Sequence, residues 1–254
     1  MSKKIAVITG ASSGMGREFV IQLCNQQQFD EVWVIARRTD RLESLGAEVS
    51  TKVRPISLDL TKKESIDAYR ALLEAEKPEV DVLVNASGVG RFGTFSDMDL
   101  ASMDLMIDLN VKAYVAMTYE TLPYLHEGSE VYQLDSLSSF QPVPYICVYG
   151  ATKAFVLSFS RALNVELKKR RIHMMAVCPG WVKTEFFDHA VKDDTITYYN
   201  RFYTADQVVR RALRDMKKRK DVSICGFPVR AQVFFTKLLP HKMIMKIWCK
   251  QQKK

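Results

Sequence analysis

Residues 5–16 read Ile5-Ala6-Val7-Ile8-Thr9-Gly10-Ala11-Ser12-Ser13-Gly14-Met15-Gly16. Two patterns overlap in this stretch. Gly10-Ala11-Ser12-Ser13-Gly14 spells G-x-S-x-G, the tight strand-to-helix turn that presents a nucleophilic serine. With Thr9 before and Gly16 after, the same residues spell T-G-x-x-x-G-x-G, a glycine-rich turn able to cradle a dinucleotide pyrophosphate. Both patterns need a strand, a sharp turn and a helix, so the remainder of the chain decides between them.

Outward from this stretch, short β-rich runs at 4–9, 31–36, 52–58, 80–85, 129–135, 172–178 and 221–225 alternate with helical patterns near 15–27, 62–76, 97–126, 148–170 and 205–219. Most of the runs are continuously apolar, as in Val32-Trp33-Val34-Ile35-Ala36 and Met174-Met175-Ala176-Val177. Strands covered on both faces have this composition. The alternation predicts an α/β doubly wound (Rossmann) fold with a parallel seven-stranded sheet and ligands at the carboxyl ends of the strands. In the hydrolase fold the nucleophile turn follows a central strand, with the acid and the histidine later in the chain. Here it follows the first strand, and neither His189 nor His241 has a recognisable loop context. The phosphate reading prevails, and Ser12 is a turn residue rather than a nucleophile.

The chain has 254 residues, 47% of them hydrophobic, and carries no repeat, low-complexity tract or linker-like stretch. One large core is expected. The oxidoreductase unit is placed at 1–227, with a substrate lid at about 185–205, and a basic amphipathic extension at 228–254. No run is long enough to cross a membrane or to serve as a signal-peptide core. The five cysteines contain no C-x-x-C and the four histidines do not cluster. This spacing argues against a disulfide framework or any metal site and for a cytoplasmic protein with reduced thiols. The net charge of +8 is uneven: from Arg201 onward there are 15 Lys/Arg against Asp206, Asp215 and Asp221, while the body is mildly acidic. The basicity describes the tail, and no nucleic-acid partner is expected.

The chemistry is concentrated in 131–154. Tyr149 and Lys153 stand four apart where a long helix opens, so they share a face. An ammonium beside a phenol favours the phenolate and is expected to lower the tyrosine pKa, making it a proton donor and acceptor near neutrality. Ser136 ends the preceding strand, at the edge where substrates bind, and its hydroxyl could engage the same substrate oxygen.

With these residues in order, the chain resembles the short-chain dehydrogenase/reductase family in its form of about 250 residues, hydroxysteroid dehydrogenases and related ketone reductases included. The match runs from Thr9 to about Thr184: Gly10, Gly14, Met15 and Gly16; Asp59-Leu60; Asn85-Ala86-Ser87-Gly88; Asn110; Ser136; Tyr149 and Lys153; Pro179-Gly180 through Val182 to Thr184. The resemblance implies that Tyr149 is the general acid/base and that Ser136 orients and polarises the carbonyl. Lys153 would tune Tyr149 and bind the nicotinamide ribose, while Asn110 would hold a water in the proton relay. The glycine turn with Ser12 and Ser13, and the segments at 59–60, 85–88 and 179–184, would line the cofactor. Two departures stand out. Asn-Ala-Ser-Gly replaces the usual Asn-Asn-Ala-Gly, and Asp135-Ser136 replaces a common Ser-Ser. Asp135 reads as a solvated charge at the strand end in preference to a substrate contact.

NAD-specific folds place an acid at the end of the second strand. Here that position is Ala36, followed by Arg37 and Arg38, whose guanidinium groups suit a 2′-phosphate. NADP(H) is the expected cofactor, with Arg37 contributing more than Arg38 because it directly follows the strand. Six aromatics between Phe186 and Tyr203, facing Val143, Pro144, Tyr145 and Ile146, suit a bulky hydrophobic ketone such as a steroid or bile acid. Val143, Tyr145, Phe186 and Tyr199 are the candidate substrate contacts. Reduction of 3-oxoacyl thioesters, or a non-catalytic nucleotide-binding regulator, are the alternatives. A homo-oligomer is expected. The tail breaks at Pro240 into two helical pieces, expected to pack over the pocket or a partner subunit, with contact to an anionic membrane surface as the second expectation.

Overall fold

Seven parallel strands in the order β3-β2-β1-β4-β5-β6-β9 form the centre of the computed structural model, which describes residues 2–191, 193 and 195–254. The first half comprises β1 (Lys4–Thr9), α1 (Gly14–Gln26), β2 (Glu31–Ala36), α2 (Thr39–Glu43), β3 (Val53–Ser57), α3 (Lys63–Glu76) and β4 (Glu79–Asn85). Then follow α4 (Leu100–Ile107), α5 (Ala113–Thr121), β5 (Leu125–Leu134), α6 (Cys147–Leu167) and β6 (His173–Val177). Beyond the sheet's sixth strand come β7 (Trp181–Lys183), α7 (Phe186–Ala190), β8 (Phe202–Thr204), α8 (Ala205–Lys217) and β9 (Val222–Ser223). The chain closes with α9 (Phe227–Leu238) and α10 (His241–Gln251).

The strand order reverses between β1 and β4, and this switch point opens a crevice at the carboxyl ends. The apolar runs are covered on both sides, as their composition requires: Ile5 to Ile8 of β1 are fully buried. Alternate side chains meet α1 and α8 on one face through Phe19, Val20, Val209 and Leu213. On the other face they meet α3 and α5 through Tyr69, Leu73 and Met117.

Two expected elements differ. The helix expected at 97–126 is divided by a π-helical turn at Asp108–Lys112. It ends in a 3-10 turn holding Pro123, so β5 begins at Leu125. The strand expected at 221–225 pairs with β6 only at Val222 and Ser223. Gly226 then turns the chain with φ +87, in a place where a Cβ would lie 1.9 Å from the Tyr203 hydroxyl.

The tail packs over the pocket. Val229, Val233 and Ile244 are buried. Trp248 Nε1 donates to the Pro144 carbonyl at 3.0 Å. Buried Gln252 accepts from Thr197 and Tyr198 N–H at 2.9 and 3.0 Å and donates to the Tyr198 carbonyl at 3.2 Å. Among the described residues, no helix is long and apolar enough to cross a membrane. Within the expected lid, Lys192 and Asp194 lie outside the described residues.

Candidate active site

A cavity of about 920 Å³ runs along the carboxyl edge of the sheet from the glycine turn to the tail. Its floor at one end is glycine because nothing larger fits. A Cβ on Gly10 (φ +65) would lie 2.7 Å from the Ala86 backbone, and one on Gly16 would lie 2.3 Å from the Gly10 carbonyl. Thr9 Oγ1 ties the neighbouring loop down by accepting from Ala86 and Ser87 N–H at 3.0 and 3.1 Å. Gly14, Met15 and Gly16 at the N-terminus of α1 line the cavity, and the Ser13 side chain does not cap the first turn, an arrangement suited to a pyrophosphate.

Arg38, not Arg37, is built into this end. Its Nη2 donates to the Ser12 and Ser13 hydroxyls, each at 3.0 Å. Arg37 is exposed at the rim, although it too lines the cavity. Gly14, Met15, Leu60, Gly88, Pro179, Gly180, Val182 and Thr184 line the same groove, as does Asp59. Hydrogen bonds from Thr61 outweigh the burial of Asp59 and hold its carboxyl below the usual range. Asn85 does not reach the groove. It is buried beneath it, donating to Thr118 Oγ1 and Gln133 Oε1 at 3.1 Å each, and thus braces β4 against its neighbours. An asparagine at a strand end looks the same in sequence whether its side chain points into the sheet layer or out of it.

The four expected catalytic residues converge. Ser136 caps the short turn after β5 and accepts from Ser138 N–H at 3.2 Å. Tyr149 lies on the first turn of α6, buried, with the Ser136 side chain close enough to pull its phenol pKa down. Lys153 follows one turn later; its Nζ donates to the Leu134 carbonyl at 2.8 Å and lies 5.9 Å from the Tyr149 ring centroid. Asn110 sits on the π-helical turn, fully buried. Its Oδ1 accepts from Val89 N–H at 2.9 Å, and its Nδ2 donates to the Val89 carbonyl and Thr152 Oγ1 at 2.8 and 3.1 Å. Both amide hydrogens are thereby spent on fixing the 88–89 loop, leaving one Oδ1 lone pair as the side chain's capacity to hold a water.

Tyr149 corrects an expectation. Burial raises its pKa well above the ordinary phenol value, and the nearby Asp135 adds to this, while the Ser136 side chain only partly opposes it. At neutrality the phenol is therefore protonated, a donor rather than a ready acceptor.

Asp135 is the second correction: it is buried, not solvated. Its Oδ2 accepts from Ser139 Oγ at 2.8 Å and from Cys178 Sγ at 3.2 Å, while Oδ1 has no hydrogen-bond partner among the described residues. Burial raises its carboxyl pKa against the attraction of Lys153. Burial likewise lowers the Lys153 pKa, with Asp135 acting in the opposite sense. A charged residue preceded by four buried ones in β5 was the available signal.

The other end of the cavity is aromatic. Phe92, Tyr149 and Phe186 form a triangle of rings with centroids 5.6–6.2 Å apart. Val143 and Phe186 line the cavity as expected, together with Ile146, Trp181 and Phe187. Tyr145 and Tyr199 do not. Tyr145 takes φ +67, outside the usual L-residue range, and its ring lies under the Lys254 ammonium at 5.8 Å. Tyr199 packs behind the wall against Trp181, with centroids 4.9 Å apart, and its hydroxyl donates to the Ile196 carbonyl. The tail's Ile244, Ile247 and Trp248, on the apolar face expected to pack over the pocket or a partner subunit, help to build this wall, and so do Phe235 and Leu239, which the sequence did not single out. No group of three or more His, Cys, Asp or Glu side chains among the described residues is placed to hold a metal.

A family model described as short chain dehydrogenase matches residues 4–195. The chain is 34% identical over 191 residues to sulfoacetaldehyde reductase 2 of Chromohalobacter salexigens, covering 72% of this chain and 74% of that one. A short-chain dehydrogenase from Sphingobium yanoikuyae in complex with NADPH superposes with a TM-score of 0.79 at 26% identity, covering 92% and 93% of the two chains. The bulky-bulky ketone specific alcohol dehydrogenase of Comamonas testosteroni gives a TM-score of 0.74 at 25% identity, over 88% and 86%.

Proposed function

Because the chain belongs to the short-chain dehydrogenase family, we propose that it is an NADP(H)-dependent oxidoreductase interconverting a bulky hydrophobic ketone and its secondary alcohol. One observation carries this reading: Ser136, Tyr149 and Lys153 meet midway along a single cavity, between an arginine-bearing glycine groove and an aromatic chamber. The bound nicotinamide supplies or accepts the hydride. Tyr149, protonated when buried, donates its proton to the carbonyl oxygen, and the Ser136 hydroxyl orients that oxygen. Lys153 places a positive charge behind the phenol, on a residue already anchored to Leu134. The glycine turn and the α1 N-terminus suit the pyrophosphate, and Arg38 suits the 2′-phosphate.

The aromatic chamber favours a steroid or bile-acid-like ring system over a small polar carbonyl, since buried apolar area is what such a wall offers. A 3-oxoacyl thioester is the second reading, supported by the basic tail as a surface for an acidic carrier. The outer face of that tail leaves Phe227, Phe234 and Leu238 exposed among Arg230, Lys237 and Lys242, which supports contact with an anionic membrane surface. Exposed Leu100, Tyr119, Phe155 and Val165 on α4 to α6 support self-association.

The deciding experiment measures NADPH and NADH oxidation across ketosteroids, β-ketoacyl thioesters, sulfoacetaldehyde and small ketones, with Tyr149→Phe alongside. We expect turnover on bulky ketones with NADPH, lost by at least about 10²-fold in Tyr149→Phe. Near-normal kcat in that variant would overturn the catalytic assignment.

A further inference from the structure

The arginine that faces the cofactor groove is already engaged. While Arg38 Nη2 binds Ser12 and Ser13, its Nη1 donates to Glu185 Oε2 at 3.0 Å. Arg41 Nη1 donates to the other oxygen, Glu185 Oε1. Glu185 comes from the far side of the groove: it follows Thr184 and immediately precedes α7, whose Phe186 ring packs 5.6 Å from Tyr149. Glu185, Arg38, Ser12 and Ser13 all line the cavity.

This places a carboxylate on the same guanidinium that would read a 2′-phosphate. A phosphate gains most from an arginine by taking two of its N–H groups at once. Here one Nη is shared between hydroxyls and the other is held by Glu185, so bidentate capture by the Nη1–Nη2 edge requires Glu185 to let go. Two anions on one guanidinium edge also repel each other. Arg41 offers the released carboxylate a second cation.

We infer that Glu185 is a specificity-determining residue, an internal competitor for the 2′-phosphate that holds Arg38 and yields it when the phosphorylated cofactor binds. The inference rests on the NADP(H) reading above. It makes preference for the phosphorylated cofactor smaller than Arg38 alone would give, and it places the start of α7 next to the group that senses which cofactor is bound.

Glu185→Gln keeps the size and hydrogen-bonding capacity of the side chain and removes the charge. The full-length protein is titrated calorimetrically with adenosine 2′,5′-bisphosphate and, as the probe lacking the 2′-phosphate, adenosine 5′-monophosphate. Removal of one partly exposed like charge should tighten bisphosphate binding about three- to fivefold and leave the monophosphate within about twofold. Unchanged or weakened bisphosphate binding in Glu185→Gln, with wild type still preferring the bisphosphate, overturns the competitor role and leaves the cofactor reading standing. A wild type that does not distinguish the two probes overturns the cofactor reading, and the competitor role with it.

Discussion

Asp135→Asn should move the alkaline limb of the pH profile for ketone reduction toward acid while leaving the acid side almost unchanged. The substitution preserves shape at a site where shape matters: Asp135 is 3% exposed, at the end of β5 between Leu134 and Ser136. It removes a charge that faces Lys153 and Cys178, as well as Tyr114 and Tyr149, both of whose pKa values it raises. Burial disfavours the Lys153 ammonium, and the Asp135 carboxylate restores part of what burial takes away. Without it, Lys153 discharges at lower pH. An opposite charge at short range shifts a buried group by about one to three units. Taking about one unit, the charged fraction of Lys153 falls roughly tenfold above the limb and hardly at all below it.

The direct effect on Tyr149 has the opposite sign, since loss of Asp135 lowers the phenol pKa. That pKa lies far above the neutral range because of burial, so the limb near neutrality follows Lys153 instead. The assay is kcat/KM for a confirmed ketone across the neutral and alkaline range, with urea unfolding of both proteins as the control for folding. Asp135→Ser, which removes the charge and shortens the side chain, should show the same shift. A variant whose profile scales down uniformly, with the limb unmoved, would refute the reasoning and reduce Asp135 to a partner for Ser139 and Cys178.

Three further outcomes are expected. Gly90→Ala should raise KM for a bulky ketone roughly tenfold and spare a small one. A Cβ there would lie 2.4 Å from Phe186 Cζ, forcing that ring to move against Phe92 and Tyr149; paired kinetics on two ketone sizes check this. Glu31 is buried, and although burial alone would raise its pKa, hydrogen bonds from Lys52, Trp33 and Lys3 bring it down to about 2. A depressed carboxyl stabilises the fold above its unfolded value of 4.5 and loses that contribution as the pH falls toward about 2. Urea titrations should therefore show at most about 3 kcal/mol of pH-dependent stability in this window that Glu31→Gln lacks. Ending the chain at residue 227 removes Ile244 and Trp248 from the cavity wall and should raise KM for bulky ketones. Full-length protein, but not the shortened one, should sediment with anionic vesicles at low salt, since each basic residue near lipid adds about 1 kcal/mol.

What the sequence revealed and what it concealed follow from how each part is built. The strands of the sheet are covered on both faces, so their apolar runs survive as continuous letters, and all seven were legible to within four residues at either end. Gly10 and Gly16 were legible because a missing side chain is itself a letter, and here a Cβ would collide with backbone. Tyr149 and Lys153 share a helical face by spacing alone. The interruption at Asn110 was not legible, because the bonds that fix it run to Val89 and Thr152, far away in the chain. Nor was the placement of Arg38 on Ser12 and Ser13 with Arg37 left exposed, which depends on where the chain turns after β2 and on Glu185 arriving from 147 residues later. Tyr145 and Tyr199 misled for a related reason. An aromatic letter reports a large apolar side chain, while the backbone at φ +67 and the packing of Tyr199 on Trp181 decide which side of a wall it occupies. The cofactor groove is assembled from backbone and short-range spacing, and so it can be read. The substrate chamber is assembled where the 88–92 loop, the turn before α6, α7 and the tail meet. Its shape is therefore a property of packing, and the Gly90–Phe186 contact is the place where changing one methyl group should report on it most directly.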